Sequence, residues 1–398
     1  MKTNKKDIKF KLWEVIVIVL VATIFMSVTT GFVVYKKFNS GRVSTTNNKY
    51  VNEFIKAYND VVDNYYENVD EDSIIDAAID GMLGYLDDDY TTYLDESDTD
   101  ALNESLVGTY EGIGITITTN ENGNIEIISV LDDSSAKEVG LDIGDIIKSV
   151  GGTSVLGKKP SELTALINSI DGKMVIEVIR KDETLKFEVE KRSLIVPALS
   201  SDVKTTQSGK KVGYLHLTSF SSSLPIQVEK KLGEFEKENK NNLIIDLRGN
   251  SGGYLQSTTD ILEMFLEKND LMFSLEYKAK TVKYKAETGM NKNFNIVVLI
   301  NGGSASASEV LASALKDNEK ATIIGSKSYG KGKVQMTGEL EDGSMYKYTS
   351  AKWYRPNGEC IDGVGITPDI VVEINENYFE NPVIENDNQL MSAISYFN

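Results

Sequence analysis

The sequence predicts a multidomain α/β chain: an N-terminal transmembrane helix, a helical segment, a small β module and a larger core of alternating strands and helices. Three observations carry that prediction. A predominantly apolar run of twenty residues extends without a charge from Val15 to Val34. Short β-branched runs separated by turn residues fill 106–192. From 212 to 375 strand and helix patterns alternate, which implies a largely parallel sheet with helices on its faces. At 398 residues, 41% of them hydrophobic, the chain is long enough for two or three domains.

Taken in order, residues 1–36 read as a cytoplasmic tail and anchor. The apolar run is long enough to cross a bilayer as a helix. Lys2, Lys5, Lys6, Lys9 and Lys11 precede it and favour that side remaining in the cytoplasm, so everything beyond 36 falls outside. A cleaved signal peptide is the rival reading, but no A-x-A site follows the run. Residues 37–105 form a polar linker and a helical region. There Phe54, Ala57, Tyr58, Val61, Val62 and Tyr65, then Ile74, Ile75, Ala78, Ile79, Met82 and Leu83, recur at helical spacing over 49–86. The aromatic face (Phe54, Tyr58, Tyr65) is assigned to the core, with packing against a second copy as the alternative. Residues 106–192 carry GIGITIT, IEIISV, IIKSVGG and VIEVIRK as strands and SELTALINSI as a helix. In 193–375 the strands VGYLHLTSF, NLIIDLRG, NIVVLING and ATIIG alternate with helices near 227–237, 255–266 and 305–317. Residues 376–398 are left as a C-terminal tail.

Two joints in the core, IIDLRGNSGG and VVLINGGSASAS, each run from a strand through glycines into a helix. Sites in such sheets form at the carboxyl ends of strands. The serines of SASAS fall at a helix start, whose unpaired N–H groups and partial positive charge suit a developing oxyanion. A serine hydroxyl needs a base. The single histidine, His216, lies in a strand with no Asp placed to orient it, and one histidine excludes a His-rich metal site. Lys331, flanked by Gly330 and Gly332, is the other candidate, since burial lowers an amine's pKa toward the range of a working base. The bland alternative is an exposed turn lysine. GSKSYGKG also approaches a phosphate-binding loop, but Gly332 stands where Ser or Thr must hold Mg²⁺, and a strand pattern follows instead of a helix. A net charge of −18 argues against a nucleic-acid partner.

The serine and lysine motifs, with YLDDDYTTYL near 85–94, LIIDLRGNSGGYL and GVGITPDIVV, resemble those of the C-terminal processing peptidases, tail-specific serine proteases of peptidase family S41. That resemblance implies an S41-type α/β core of the crotonase/ClpP-like kind and a serine endopeptidase without metal or cofactor. It implies Ser306 as nucleophile, Lys331 as base twenty-five residues on, and Gln335 orienting the lysine. The oxyanion hole falls to the backbone N–H groups of Gly252 and Ala307. Ser304 and Ser308 become capping or packing groups, and Asp246 and Arg248 supports of the turn. Residues 106–192 resemble a PDZ domain, with Tyr110, Glu111, Gly112, Ile113 and Gly114 as the loop that takes a peptide's C-terminal carboxylate. Where relatives carry Arg-Gly, this chain has Asn168 and Ser169, so a gate relayed by that arginine needs another residue here. Protein or peptide substrates with exposed C-termini, the membrane and a second copy of the chain are the implied partners. The location is a bacterial cell membrane, single-pass, with the catalytic part extracytoplasmic. An inert PDZ-bearing scaffold is the alternative function.

Overall fold

The computed structural model describes residues 48–381 and 383–398, which divide into two units at Ala78. The expected membrane span at 15–34 lies outside the described residues. Among the described residues no helix is long and apolar enough to cross a membrane.

In the first unit α1 (Lys49–Asn64) starts at Asn48, whose side chain accepts from Tyr50 N–H. Helix α2 (Glu71–Gly84) begins in this unit, and Tyr58 Oη donates to Glu71 Oε2 at 2.8 Å, joining α1 to its first turn. The assignment of Phe54 and Tyr65 to the core is corrected: α1 buries none of its residues, and both rings are more than half exposed.

The second unit holds the β module and the core. A short strand β1 (Thr92–Leu94) leads to α3 (Glu96–Val107), a helix the sequence analysis did not separate from its surroundings. Strand β2 (Thr109–Gly112) opens the module and pairs antiparallel with β9 (Arg192–Ile195), which closes it three residues beyond the expected boundary. Between them β3 (Ile115–Thr119), β4 (Ile125–Val130), β5 (Ile146–Val150), β7 (Lys173–Arg180) and β8 (Glu183–Glu190) form a sheet in that order, with β6 (Thr153–Ser154) on β5. Helices α4 (Ser135–Val139) and α5 (Pro160–Asn168) cover it. Alternation places Ile125, Ile127, Ile147, Ile176 and Val178 in one buried cluster with Leu163 of α5. β3 is one edge of this sheet and β8 the other.

The core sheet runs β10 (Leu199–Thr205), β11 (Lys211–Leu217), β12 (Asn242–Asp246), β15 (Asn295–Ile300), β16 (Ala321–Gly325), β19 (Ile370–Val371). All neighbours from β11 onward are parallel, as the strand–helix alternation requires. Helices α6 (Leu224–Lys237), α7 (Leu255–Phe265) and α8 (Ala307–Asp317) pack on one face around Leu215, Ile245, Val298 and Leu311. Pro225 near the start of α6 is tolerated because the first turn has no intrahelical partner for its missing N–H. The opposite face is closed by α10 (Asn388–Ser395), with α9 (Glu376–Glu380) before it. Leu390, Ala393, Ile394 and Phe397 bury Val212, Ile244, Val297 and Leu299, so the end of the expected tail, 388–397, is a structural layer. A second sheet orders β1, β18 (Met345–Tyr354), β13 (Leu271–Tyr277) and β14 (Thr281–Lys285), with β17 (Lys333–Glu339) also on β18. β1 therefore ties the segment around 85–94 to the core.

Candidate active site

Two glycine-rich joints meet at the carboxyl ends of the neighbouring strands β12 and β15, and polar side chains fasten one to the other. Asn301 Oδ1 accepts from Gly249 N–H at 3.0 Å and Gly303 N–H at 2.9 Å. Ser304 Oγ donates to Leu247 O, and Ser308 Oγ to Asn250 O, both at 2.8 Å. Both serines are fully buried, so their hydroxyls are structural. Of the three serines, Ser306 alone lines the adjoining cavity of about 520 Å³.

Ser306 precedes α8 with φ +53° and ψ −115°, a backbone state that residues with a Cβ rarely adopt. The turn holds it there. Ala305 N–H donates to Asn250 O at 3.0 Å, and Ser306 N–H to Glu309 Oε2 at 2.9 Å. Glu309, fully buried, then reaches the lysine loop. Its Oε2 also accepts from Lys331 N–H at 2.9 Å, and Oε1 accepts from Gly330 N–H at 2.7 Å and Ser328 Oγ at 2.6 Å. One carboxylate thus joins the backbone of the expected nucleophile to that of the expected base. Burial pushes the Glu309 carboxyl up, against the pull of those four donors.

Gly252 and Ala307 flank Ser306. Gly252 has φ +112°, and a Cβ on it would lie 3.0 Å from Ser306 Cβ and 3.1 Å from Ala307 N, so only glycine fits without displacement. Ala307 N–H opens α8 and has no intrahelical acceptor, which leaves it available to an incoming oxyanion. Gly252 N–H, the other expected donor, instead donates to Asn250 Oδ1 at 2.9 Å.

Lys331 and Gln335 line the same cavity as Ser306, with Leu102 and Leu106 of α3 and Trp353 of β18. Trp353 Nε1 donates to Lys331 O at 2.9 Å. Burial pushes the Lys331 amine down, helped by the nearby Lys347 and opposed by the charges of Asp88 and Glu309. Lys331 Nζ sits 4.6 Å from the centre of the Tyr90 ring and makes no hydrogen bond to Ser306 Oγ or to Gln335. Gln335 Nε2 faces Thr349 Oγ1 at 3.4 Å. The cavity therefore gathers the expected residues without yet joining their reactive atoms. His216 lines a different cavity, of about 570 Å³, with Tyr214 and Arg248. There Arg248 bridges Asp246 and Asp387, with bonds of 2.7 and 2.8 Å from Nη2.

In the β module Tyr110, Glu111, Gly112, Ile113 and Gly114 line one groove of about 170 Å³ beside β3 and α5. Gly114 has φ +87°, and a Cβ would strike that of Ser134 at 2.1 Å. Asn168 lines this groove, as does Glu104 of α3. α3 thus borders both cavities, its Leu102 and Leu106 on one and Glu104 on the other.

The sequence analysis missed Glu309, Tyr90 and α3. The first carried a signal, since Ser306-x-x-Glu309 is the spacing of a helix capping box.

Residues 211–372 match the model of peptidase family S41, residues 105–179 that of the PDZ domain, and residues 29–98 that of the activating protease CtpB N-terminal domain. The carboxy-terminal processing protease CtpA of Bacillus subtilis is 32% identical over 381 residues, covering 94% of this chain and 80% of the relative. CtpB of the same organism is 33% identical over 348 residues, covering 86% and 72%. A Bacteroides fragilis chain described as an S41 protease shares the fold, with a TM-score of 0.52, 19% identity and coverage of 84% and 91%.

Proposed function

The chain belongs to peptidase family S41 and is a serine-type peptidase with a PDZ domain, and from that premise we propose that it is a membrane-anchored C-terminal processing endopeptidase working through Ser306 and Lys331. The observation that carries this is the Glu309 carboxylate, which fastens Ser306 and Lys331 to each other beside one cavity. Neutral Lys331 takes the proton of the Ser306 hydroxyl as Oγ attacks a peptide carbonyl. The oxyanion is held by Ala307 N–H and by Gly252 N–H, which it shares with Asn250. Lys331 then gives the proton to the leaving amine, and water, deprotonated by the same lysine, hydrolyses the acyl-enzyme. Gln335 orients the amine once Lys331 turns toward Ser306.

The groove along β3 receives the substrate's C-terminal tail as an added strand. α3, bordering both cavities, supports a gate that passes through this helix instead of through the arginine absent at 168–169. The apolar run at 15–34 and its lysines support an anchor that leaves the catalytic part outside the cytoplasm. The unburied aromatic face of α1 supports a homodimer.

Ser306→Ala and Lys331→Ala should each lower cleavage of an unfolded protein at pH 7–8 by at least a thousandfold while the circular dichroism spectrum stays that of the parent. Near-parental turnover by Lys331→Ala would remove the dyad.

A further inference from the structure

Residues 85–94, from well before the β module, reach back to β18 and to Lys331 and Lys333 beside the active-site cavity. Their position is fixed by many bonds. β1 pairs with β18, and Thr349 N–H donates to Thr91 Oγ1 at 3.1 Å. Asp88 accepts from Lys333 Nζ at 2.7 Å, Thr349 Oγ1 at 2.6 Å and Thr91 Oγ1 at 2.7 Å. Between these anchors the ring of Tyr90 lies under two ammonium groups, with Lys331 Nζ at 4.6 Å from its centre and Lys333 Nζ at 5.5 Å. Its hydroxyl faces Tyr329 in the lysine loop. The two lysines differ in one respect. Lys333 has the Asp88 carboxylate, whereas Lys331 has no carboxylate within ion-pair distance among the described residues. The ring face stabilises its charge at close range, with the Asp88 and Glu309 carboxylates acting from beyond ion-pair distance.

We propose that Tyr90 is a positioning residue, an aromatic shelf on which the charged form of Lys331 rests away from Ser306 and from which the neutral amine is released to act as base. The physical reason is selective. The negative face of an aromatic ring attracts a cation and has little hold on an uncharged amine. Protonation and place are therefore coupled, so that the lysine reaches the hydroxyl only in the form able to accept its proton. Other groups facing Lys331 set the baseline. Lys347 on β18 disfavours its charge, and Asp88 and Glu309 favour it, while Lys333 on β17 shares the Tyr90 ring. Asp89 and Asp362 stand around Tyr90 and Lys333, and Tyr329 faces Tyr90 from the lysine loop. The charged groups among these stay in every variant, and Tyr90→Phe removes only the hydroxyl that faces Tyr329 while keeping the ring.

The inference rests on the Ser306–Lys331 reading, and the test separates the two. The full chain and its Tyr90→Phe, Tyr90→Leu and Tyr90→Trp variants are assayed for kcat/KM on fluorescein-labelled unfolded casein from pH 5 to 10, beside Lys331→Ala. A general base must be neutral, so the acid limb reports its pKa in the free enzyme. Removing a cation's partner lowers that pKa. Tyr90→Leu should move the limb down by roughly half a pH unit to one unit, Tyr90→Phe should leave it in place, and Tyr90→Trp should move it up. If Tyr90→Leu does not fold, the contrast between Phe and Trp carries the test. A limb that stays put in the whole series, or a uniform loss of rate at every pH, overturns the shelf. So does an upward shift in Tyr90→Leu, which would show that the ring acts only by keeping water out. Lys331→Ala with parental turnover would instead overturn the dyad itself.

Discussion

Glu309 accepts four hydrogen bonds, none of them from a cationic side chain, and two of those donors belong to Ser306 and Lys331. A glutamine there keeps the shape but has one accepting oxygen, and its NH₂ must face N–H groups that already need an acceptor. Glu309→Gln should destabilise the fold by roughly 2–4 kcal/mol and lower cleavage at least tenfold. Urea unfolding and steady-state turnover measure both, and parental activity would show that the tie is dispensable. At this scale the sequence was partly legible. The capping-box spacing exposes Glu309 as a partner of Ser306. Its second use, on backbone donors more than twenty residues later, follows no local period and needs the fold.

Elements tell a similar story. The strand–glycine–helix joints after β12 and β15 could be read because a change of hydrophobic period and a glycine cluster mark them in the chain itself. α3 escaped because its apolar side chains are few, Leu102 and Leu106 among acidic and polar neighbours, and its burial depends on a groove built elsewhere. The strap at 85–94 was noticed only through the resemblance, since its partners on β17 and β18 lie some 250 residues on. Asp88 makes that docking pH-dependent. Burial works against its charge, but Lys333, Thr349 and Thr91 hold its pKa down to about 2, below an ordinary value near 3.8. Its contribution is therefore complete above about pH 4 and disappears as pH falls through about 2. Asp88→Asn should cost on the order of 1 kcal/mol at pH 7 after allowing for solvent around Lys333. That deficit should vanish in thermal melts near pH 2, and a deficit equal at both pH values would contradict the assignment.

Across the whole molecule the β module stands on a two-stranded ribbon. Thr109 faces Ile195 and Gly112 faces Arg192, and Val196 N–H extends the pairing to Gly108 O at 2.9 Å. Excising 109–195 and joining Gly108 to Val196 through a short glycine–serine link should leave a folded core that still cleaves unfolded casein. A peptide carrying the substrate's C-terminus should stimulate the intact chain severalfold and the excised one not at all. Equal responses in the two would remove the gate. The ribbon has a broader meaning. Because the chain enters and leaves the reader along one seam, ancestry needs a cut at a single place to trade that reader for another. What is recognised can then diversify on one side of the seam while the hydrolytic machinery on the other is inherited intact.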